Sequence, residues 1–327
     1  MFIIGAGLAG LLAGVVNQTA QILEASAQLP DNHQAVFRMR TNQIGTYTGI
    51  PFKKVTVHKA IWFEAQEHGI TPRLANLYSQ KITGKISQRS ILGSLAPAQR
   101  WVPPKDFVEL LSEKCADRIY FNHVANKITP DTIHFANGGR WDRTGQPIIS
   151  TIPMPVLMRT LLDTQPTTLN FDSTRIIINH YAVANCDTYA TIYYPAPGMT
   201  VYRATIDGGT LITEGLAPIT TSDLADVVAS FGLHPHMLKR TLANSEHKGL
   251  KVLPIDTAIR HRLIYQATTQ YRIFSLGRYA TWRPGIMLDD VFKDIFVITR
   301  LIAQDDYSIN RQLQKGDASH DTHSETD

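Results

Sequence analysis

The feature that most constrains the fold is a glycine-rich turn at residues 5–10. A short apolar run, Phe2–Ile4, leads into Gly5-Ala6-Gly7-Leu8-Ala9-Gly10, and Leu11–Asn17 has the composition of a helix. Glycine is needed where the chain turns sharply out of a strand, where a phosphate approaches the backbone, and where a helix packs closely on a sheet. We therefore predict a strand, a turn and a helix that open a Rossmann-like dinucleotide-binding domain.

An acidic residue ends the next apolar run, Gln21–Glu24. A carboxylate at this point accepts hydrogen bonds from the ribose hydroxyls of an adenine dinucleotide, while the preceding helix N-terminus attracts the pyrophosphate. The interval from Gly10 to Glu24 is shorter than is usual for this motif, so we expect a short first helix. The predicted cofactor contacts in this region are Gly5, Gly7, Leu8, Ala9, Gly10, Glu24 and Ala25.

The rest of the chain predicts an α/β protein with a second, antiparallel sheet. Apolar and polar residues alternate over Arg175–Gly215, as in antiparallel strands with one buried face. Residues 34–100 show few clear periods and are expected to be irregular. The other predicted elements are a helix over Lys105–Ala116, a hairpin at Asn137-Gly138-Gly139, a strand over Pro147–Thr151, a helix over Ser222–Phe231 capped by Ser222, a strand over Tyr271–Ser275 and a helix over Leu288–Ala303.

Composition excludes several classes of protein. Apolar residues make up 43% and charged residues 18% of the 327 positions, as in soluble globular proteins. No apolar run is long enough for a membrane span, and the apolar start lacks the basic region of an export signal. Cys115 and Cys186 have no motif spacing, so we expect free thiols and a cytoplasmic location. The histidines form no metal-ligand pattern, so no metal is expected; those considered are His58, His180, His234 and His236.

A Gly-Arg loop lies between the last predicted strand and the last predicted helix. It runs Phe274–Trp282, contains Gly277-Arg278, and is followed by Met287–Val291. This arrangement resembles glutathione-reductase-type flavoproteins of the amine oxidase and UDP-galactopyranose mutase group, in which the final helix meets the flavin pyrimidine ring. The resemblance implies FAD, bound noncovalently because no Cys or His lies in a recognisable attachment motif. It adds the cofactor contacts Val124, Thr151, Gly277, Arg278, Leu288 and Asp289.

The same resemblance implies a division into domains. The expected α/β fold combines a Rossmann-like FAD-binding domain of the glutathione-reductase type with an antiparallel β-sheet substrate domain. The FAD domain is expected to comprise residues 1–60, 100–155 and 265–310, and the substrate domain residues 165–255. An irregular insertion is expected at 60–100 and a disordered tail at 312–327.

Four aromatic residues have two interpretations. Tyr193, Tyr194, Tyr202 and Trp282 could line a cage that faces the flavin, or they could be core residues of alternating strands. Because the flavin itself accepts the hydride, the reaction does not require an acidic side chain. Tyr202 and Trp282 are therefore named only as catalytic candidates.

Two further segments carry a narrower resemblance. Phe37–Ala60 and Arg73–Lys81 are similar to small flavoproteins encoded by tailed bacteriophages, some of which act in thymidine hypermodification. This implies an FAD-dependent oxidoreductase or lyase that acts on a C–N bond of a glycinyl thymine in phage DNA, in the host cytoplasm. The alternatives are a small-molecule amine or amino-acid oxidase, a UDP-galactopyranose-mutase-like enzyme and a non-enzymatic flavin-binding module. The Gly-Gly pair that usually follows the ribose acid is missing, which disfavours the mutase.

Basic residues leave a nucleic-acid partner open. The net charge is +4, and the chain has more Lys and Arg (32) than Asp and Glu (28). Clusters of basic residues either form an ordinary solvated surface or line a path along which DNA phosphates bind. The residues considered are Arg38, Arg40, Lys53, Lys54, Lys59, Lys81 and Lys85, and the substrate candidates are Tyr47, Lys53, Lys54 and Arg283. Tyr47 or Trp282 could stack on a flipped base.

Overall fold

A computed structural model describes residues 1–29, 36–86, 94–161, 171–240 and 247–304. The chain divides into two compact units. The first contains the described parts of Met1–Asp31, Asp106–Leu169 and Asp256–Asp327, and the second those of Asn32–Lys105 and Asn170–Ile255. The structure thus places residues 36–60 and 100–105 in the second unit, whereas the sequence analysis put them in the FAD domain. The expected tail at 312–327 lies outside the described residues.

A parallel five-stranded sheet forms the centre of the first unit. Its strands, numbered in chain order through the whole protein, lie in the order β17-β10-β1-β2-β6. Strand β1 lies inside this sheet, since it pairs with β10 on one side and with β2 on the other. Its residues Phe2, Ile3 and Ile4 are all buried. The bounds are β1 Phe2–Ile4, β2 Gln21–Leu23, β6 Ile119–Tyr120, β10 Ile148–Ser150 and β17 Ile273–Ser275.

Five helices accompany this sheet in the described residues. They are α1 Leu8–Val16, α4 Phe107–Glu113, α5 Met154–Leu161, α7 Thr257–Tyr271 and α8 Leu288–Gln304. The predicted long last helix is confirmed, and the predicted helix over Lys105–Ala116 is shorter than expected. Sequence analysis missed α7 altogether, and Tyr271, predicted to begin a strand, is its last residue.

A small antiparallel sheet completes the first unit. It comprises β7 Ala125–Ile128, β8 Thr132–Phe135 and β9 Arg140–Asp142. The predicted hairpin between β8 and β9 is confirmed, and Gly138 there has a positive φ of 84° that glycine adopts without strain.

The second unit is built on a nine-stranded sheet. The main path is β15-β11-β14-β13-β12-β3-β4; β16 also pairs with β11, and β5 with β3. The antiparallel pairing predicted for Arg175–Gly215 is confirmed by the β11–β14, β12–β13 and β13–β14 ladders. The bounds are β3 Lys53–Phe63, β4 Gln66–His68, β5 Ala98–Val102, β11 Ser173–Val183, β12 Thr188–Tyr193, β13 Val201–Gly208, β14 Thr210–Gly215, β15 Leu238–Arg240 and β16 His247–Val252.

The prediction that residues 34–100 are irregular was wrong. This region contributes the eleven-residue strand β3 and two helices, α2 Gln43–Thr48 and α3 Pro72–Thr83. In β3, Val55 and Val57 are buried while the residues between and beside them are exposed. The alternation is therefore real, but lysines and a histidine fill its solvent face and weaken the strand signal.

Apolar clusters cover both faces of the large sheet. On one face Leu74, Tyr78 and Ile82 of α3 pack with Tyr202. On the other face Val227, from α6 Thr221–Ser230, packs with Tyr194. The side chain of Thr220, and not Ser222 as predicted, caps α6 by accepting a hydrogen bond from the Asp223 N–H.

Candidate dinucleotide-binding site

The carboxyl edge of the parallel sheet collects the predicted cofactor residues. Gly5 follows β1, Glu24 follows β2, Thr151 follows β10 and Gly277 lies two residues after β17. The strand order reverses between β1 and β10, since the chain first builds outward through β2 and β6 and then returns to the other side of β1. Ligands of open α/β sheets bind outside the carboxyl ends of the strands at such a reversal.

Two glycines of the turn are required by close contacts within the protein. Gly5 has a φ of 98°, and a Cβ there would overlap the Thr151 hydroxyl oxygen. Thr151 is itself held in place, because its backbone N–H and its hydroxyl both donate to the Ile4 carbonyl at 2.9 Å. A Cβ at Gly10 would overlap the Gly5 carbonyl. These contacts fix the turn and the close packing of α1 on β1.

The space beside Gly7 is free of protein atoms, in contrast to the space beside Gly5 and Gly10. A Cβ at Gly7 would have no neighbour within 4 Å. Gly7 is the N-cap of α1, no side chain caps this helix, and its first turn contains no acidic residue. The first amides of a helix have no partner within the helix and carry a partial positive charge. This end of α1 therefore suits an anionic group such as a pyrophosphate.

Glu24 is buried at the end of β2 with its carboxylate oriented by two backbone amides. Its Oε2 accepts from the Ala6 N–H at 2.6 Å, and its Oε1 accepts from the Ser26 N–H at 2.9 Å. An ionised carboxylate has about four acceptor positions, so capacity remains for two ribose hydroxyls. Ala25 is exposed beside it. Sequence analysis missed Ser26, because a backbone donor leaves no signal in the residue type.

Val124 lies next to this acid, just beyond β6. The His123 N–H donates to the Glu24 carbonyl at 2.8 Å, which holds the segment against β2. Val124 is 45% exposed, and its carbonyl accepts from the Ala136 N–H at 2.9 Å. The His123 ring packs edge-on against Phe135, with 4.9 Å between ring centroids. Neighbouring rings thus border the segment predicted to meet adenine.

The Gly-Arg loop reaches the first turn of α1. Gly277 has a φ of 93°, and a Cβ there would lie 3.2 Å from the Ala9 Cβ. The Leu276 N–H donates to the Ser150 carbonyl at 2.9 Å, so the loop leaves β17 alongside β10. Arg278 donates through Nη2 to the Ile286 carbonyl at 2.9 Å. Trp282, a catalytic candidate, is buried with a φ of 47°.

The last helix begins near the same edge. Leu288 is its first residue, the Asp289 side chain is buried, and Asp290 accepts from the Met287 N–H at 3.0 Å. Further along α8, the Thr299 hydroxyl donates to the Asn17 side chain at 3.1 Å. Asn17 is the C-cap of α1, so this bond joins the end of α1 to α8. Arg283, predicted to meet substrate, instead pairs with Asp294 of this helix.

Two of the aromatic candidates of the second unit are core residues, whereas Tyr193 is only partly buried. Tyr194 and Tyr202 are fully buried, on opposite faces of the large sheet. The Tyr194 hydroxyl pairs with Ser230 at 2.7 Å, and the Tyr202 hydroxyl donates to Glu214. Burial raises the pKa of both phenols. The core interpretation is therefore correct for Tyr194 and Tyr202.

Several predicted basic contacts are engaged inside the second unit. Arg38 is partly buried and pairs with Asp207, with Nε–Oδ1 at 2.9 Å. Lys81 lines a cleft of about 470 Å³ and donates to three backbone carbonyls. Lys53 pairs with Asp187 at 2.9 Å on the surface, and Lys54 lies 5.9 Å from the centroid of the Trp101 ring. Tyr47 is 46% exposed.

Other classes of site receive no support from the residues that the structure describes. No group of three or more His, Cys, Asp or Glu among them could hold a metal ion. Cys115 and Cys186 are both free thiols. Within the described ranges, no helix combines the length and apolar character that crossing a membrane requires.

Comparison with known proteins identifies the fold. No protein-family model and no curated protein sequence matches the chain. Among solved structures, reduced UDP-galactopyranose mutase matches with a TM-score of 0.64 at 15% identity, over 94% of this chain and 96% of that one. A fatty acid isomerase from P. acnes matches with a TM-score of 0.58 at 14% identity, over 91% and 97%. A putrescine oxidase with redesigned cofactor binding matches with a TM-score of 0.56 at 11% identity, over 93% and 97%.

These matches extend over nearly the full length of this chain and of each matched structure. They agree with the parallel sheet, the glycine turn and the antiparallel second sheet described above. The predicted fold class is therefore confirmed: the chain has a Rossmann-like FAD-binding fold combined with an antiparallel β-sheet unit.

Proposed function

We propose that the first unit binds FAD and that the protein is a flavin-dependent oxidoreductase acting on a C–N bond. The observation that carries the proposal is the open Gly7 at an uncapped helix N-terminus, beside a buried Glu24 that keeps free acceptor capacity. Structures with the same fold include an oxidase of the diamine putrescine, which supports amine chemistry.

The residues that are present fit the ADP half of FAD. Glu24 would hold the ribose, and the backbone at Gly7 and the first turn of α1 would hold the pyrophosphate. The N-terminus of α8 would face the flavin ring, where its amides favour negative charge. When bound, FAD supplies a hydride acceptor for the carbon next to nitrogen. We propose noncovalent binding, which predicts that denaturation releases free FAD.

The finer proposal concerns the substrate, a glycinyl thymine in phage DNA. It is supported by the resemblance of Phe37–Ala60 and Arg73–Lys81 to phage flavoproteins. Loss of hydride from the carbon next to nitrogen gives an imine that hydrolyses or eliminates. Anaerobic mixing with DNA that contains glycinyl thymine should bleach the flavin absorbance, whereas unmodified DNA should not. Bleaching by free amines alone would instead identify a small-molecule oxidase.

The DNA part of this proposal has its own control. Of the basic residues considered, Lys54 is exposed, and Lys53 is exposed although Asp187 pairs with it. Phosphate contacts release counterions, so DNA affinity should fall steeply with salt. A Lys53→Ala/Lys54→Ala variant should bind more weakly and show a shallower salt dependence. An affinity that is independent of salt, or unchanged in the variant, would remove DNA from the proposal and leave FAD binding in place.

A redox-neutral flavoenzyme is the second candidate, because the UDP-galactopyranose mutase structure matches with a TM-score of 0.64. Such an enzyme would need its flavin reduced before turnover and would not consume the reductant. Activity that appears only after chemical reduction, with no net electron transfer to or from substrate, would favour this candidate over the oxidoreductase.

A further inference from the structure

One face of the large sheet in the second unit carries a polar strip. Strand β13 alternates along this face, with Arg203, Thr205 and Asp207 on it and the apolar Ala204 and Ile206 on the other face. The ladders place Thr191 opposite Thr205, and Glu214 opposite Arg203. We define the polar strip as Arg38, Thr191, Arg203, Thr205, Asp207 and Glu214.

A β-bulge brings the side chains of two adjacent residues, Tyr202 and Arg203, to the same carboxylate, that of Glu214. The β13–β14 register shifts between Val201 and Arg203, which leaves Tyr202 as the extra residue. Adjacent strand residues normally point to opposite faces, but here the Tyr202 hydroxyl and the Arg203 guanidinium both donate to Glu214. Bulges that redirect side chains in this way are common beside functional sites.

The Glu214 carboxylate is held ionised opposite Arg203, at one end of the strip. Burial alone would raise its pKa, but the charges of Arg203 and Lys251 and the hydrogen bonds from Tyr202 and Arg203 lower it to about 2. Lys251 Nζ lies 3.4 Å from Oε2. Apolar packing of similar volume is often as stable as a buried ion pair, so stability alone does not account for this pair.

Arg203 retains an edge of its guanidinium for a ligand. Its Nε and Nη2 donate to Glu214, and none of the described residues accepts a hydrogen bond from Nη1. The Arg203 side chain remains 30% exposed although Glu214 beside it is buried. A guanidinium fixed by one carboxylate presents its remaining N–H groups in a rigid plane that matches an oxyanion.

A second guanidinium adds positive charge on the same face. Arg38 donates to the Thr191 hydroxyl at 3.0 Å, and that hydroxyl lies 3.3 Å from the hydroxyl of Thr205. Burial lowers the pKa of Arg38, Asp207 opposes this, and the nearby charge of Arg203 lowers it further. Arg38 therefore adds positive charge to the face that carries Arg203, while its own nitrogens donate to Asp207, Thr191 and the Ile206 carbonyl.

We propose that the polar strip binds an oxyanion group of the substrate, with Arg203 Nη1 as the donor that contacts it. This inference deepens the proposed function and rests on it only in calling the ligand a substrate. The oxyanion could be a carboxylate from an amino acid or a phosphate from a nucleotide, and both offer the oxygens that the guanidinium edge fits.

The test is calorimetric titration of FAD-saturated protein with acetate and with inorganic phosphate, against chloride at matched ionic strength. Saturation with FAD keeps phosphate out of the proposed pyrophosphate site, and the flavin content of each sample reports on the proposed function separately. If no FAD binds, the same titration is run on the flavin-free protein. Stronger binding of acetate assigns a carboxylate, and stronger binding of phosphate assigns a nucleotide phosphate.

Three variants separate the oxyanion contact from folding. Arg203→Lys keeps a positive charge beside Glu214 but removes the Nη1 edge, and it should weaken anion binding by about tenfold or more. Arg203→Gln removes the guanidinium and leaves Glu214 paired with Lys251, 3.4 Å away, and hydrogen-bonded by Tyr202, so it serves if the first variant does not fold. Arg175→Gln, at an exposed position of β11, is the matched control and should bind as the wild type does. Wild-type protein that binds neither anion, or equal binding by all variants, would overturn the inference.

Discussion

At the residue scale, Lys81 shows how far burial can change the role of a side chain predicted to meet DNA. Its Nζ donates to the carbonyls of Tyr194, Ala196 and Val201 at 2.7–2.9 Å, so it joins α3 to the β12–β13 connection. Burial lowers the pKa of Lys81 to about 7, and Asp223 opposes this shift. The sequence contains no signal for this role, because the three acceptors are backbone atoms more than one hundred positions away.

Lys81→Met should destabilise the protein at pH 7 by about 1–3 kcal/mol, since three carbonyls lose a buried donor. The pH dependence is the sharper test. Between the folded pKa of about 7 and the unfolded value of 10.5, the unfolded chain binds more protons at Lys81, so this residue's contribution to stability rises with pH.

Denaturant unfolding from pH 7 to 10 should therefore show the wild type gaining stability relative to Lys81→Met. Lys85→Met, at an exposed position two residues after α3, is the matched control and should follow the wild-type pH profile. A constant difference between wild type and Lys81→Met across this range would contradict the assignment.

At the element scale, local signals predicted the start of the first unit well and missed an element in each unit. The glycine turn, α1 and β2 depend on contacts within about twenty residues, and they occur in the predicted order, although α1 begins at Leu8 and not at Leu11. Strand β3 and helix α7 were missed for different reasons. Lysines on the solvent face obscure the alternation of β3, and only Leu263 and Ala267 of α7 are buried, which leaves little helical periodicity.

The polar strip could not be predicted in the same way. Its pairing of Arg203 with Glu214 depends on the register between β13 and β14, and on the bulge at Tyr202 that shifts that register. A one-residue difference in register would move these side chains to other faces. Strand propensities over Arg175–Gly215 predicted the sheet without fixing this detail.

Substitutions at Gly10 and at Gly7 should have different effects: the first should mainly lower stability, and the second should mainly abolish cofactor binding. Gly10→Ala forces a Cβ into the Gly5 carbonyl, so it should cost about 1–3 kcal/mol of unfolding free energy. Gly7→Leu has no neighbour to meet and an ordinary φ of −68°, so it should cost no more than about 1 kcal/mol, which is the loss of a favourable N-cap residue. The leucine would nevertheless occupy the space proposed for the pyrophosphate and abolish FAD binding.

Thermal unfolding of the flavin-free proteins and FAD titration of the same samples measure these two effects. The pair is informative because each variant serves as the control for the other. If Gly7→Leu retained wild-type affinity for FAD, the pyrophosphate would have to lie elsewhere.

At the scale of the whole molecule, the two units have separate roles in this account. The first holds the proposed cofactor at the carboxyl edge of its parallel sheet, and the second offers the polar strip for a charged group of the substrate. The fold is shared with a mutase, an isomerase and an oxidase, so it does not by itself choose the reaction. We expect residues such as Arg203 to determine which reaction the protein catalyses. The measurements of flavin reduction proposed above distinguish the candidate reactions.

We propose above that the edge formed by Gly5–Gly10 and Glu24 binds the ADP half of FAD. The most direct measurement is calorimetric titration of the flavin-free protein with FAD, repeated in the presence of ADP or of FMN. We expect one FAD per chain, competition by ADP through the ribose and pyrophosphate contacts, and little competition by FMN, which lacks that half. FAD binding that ADP leaves unchanged, or a folded protein that binds no FAD, would contradict it.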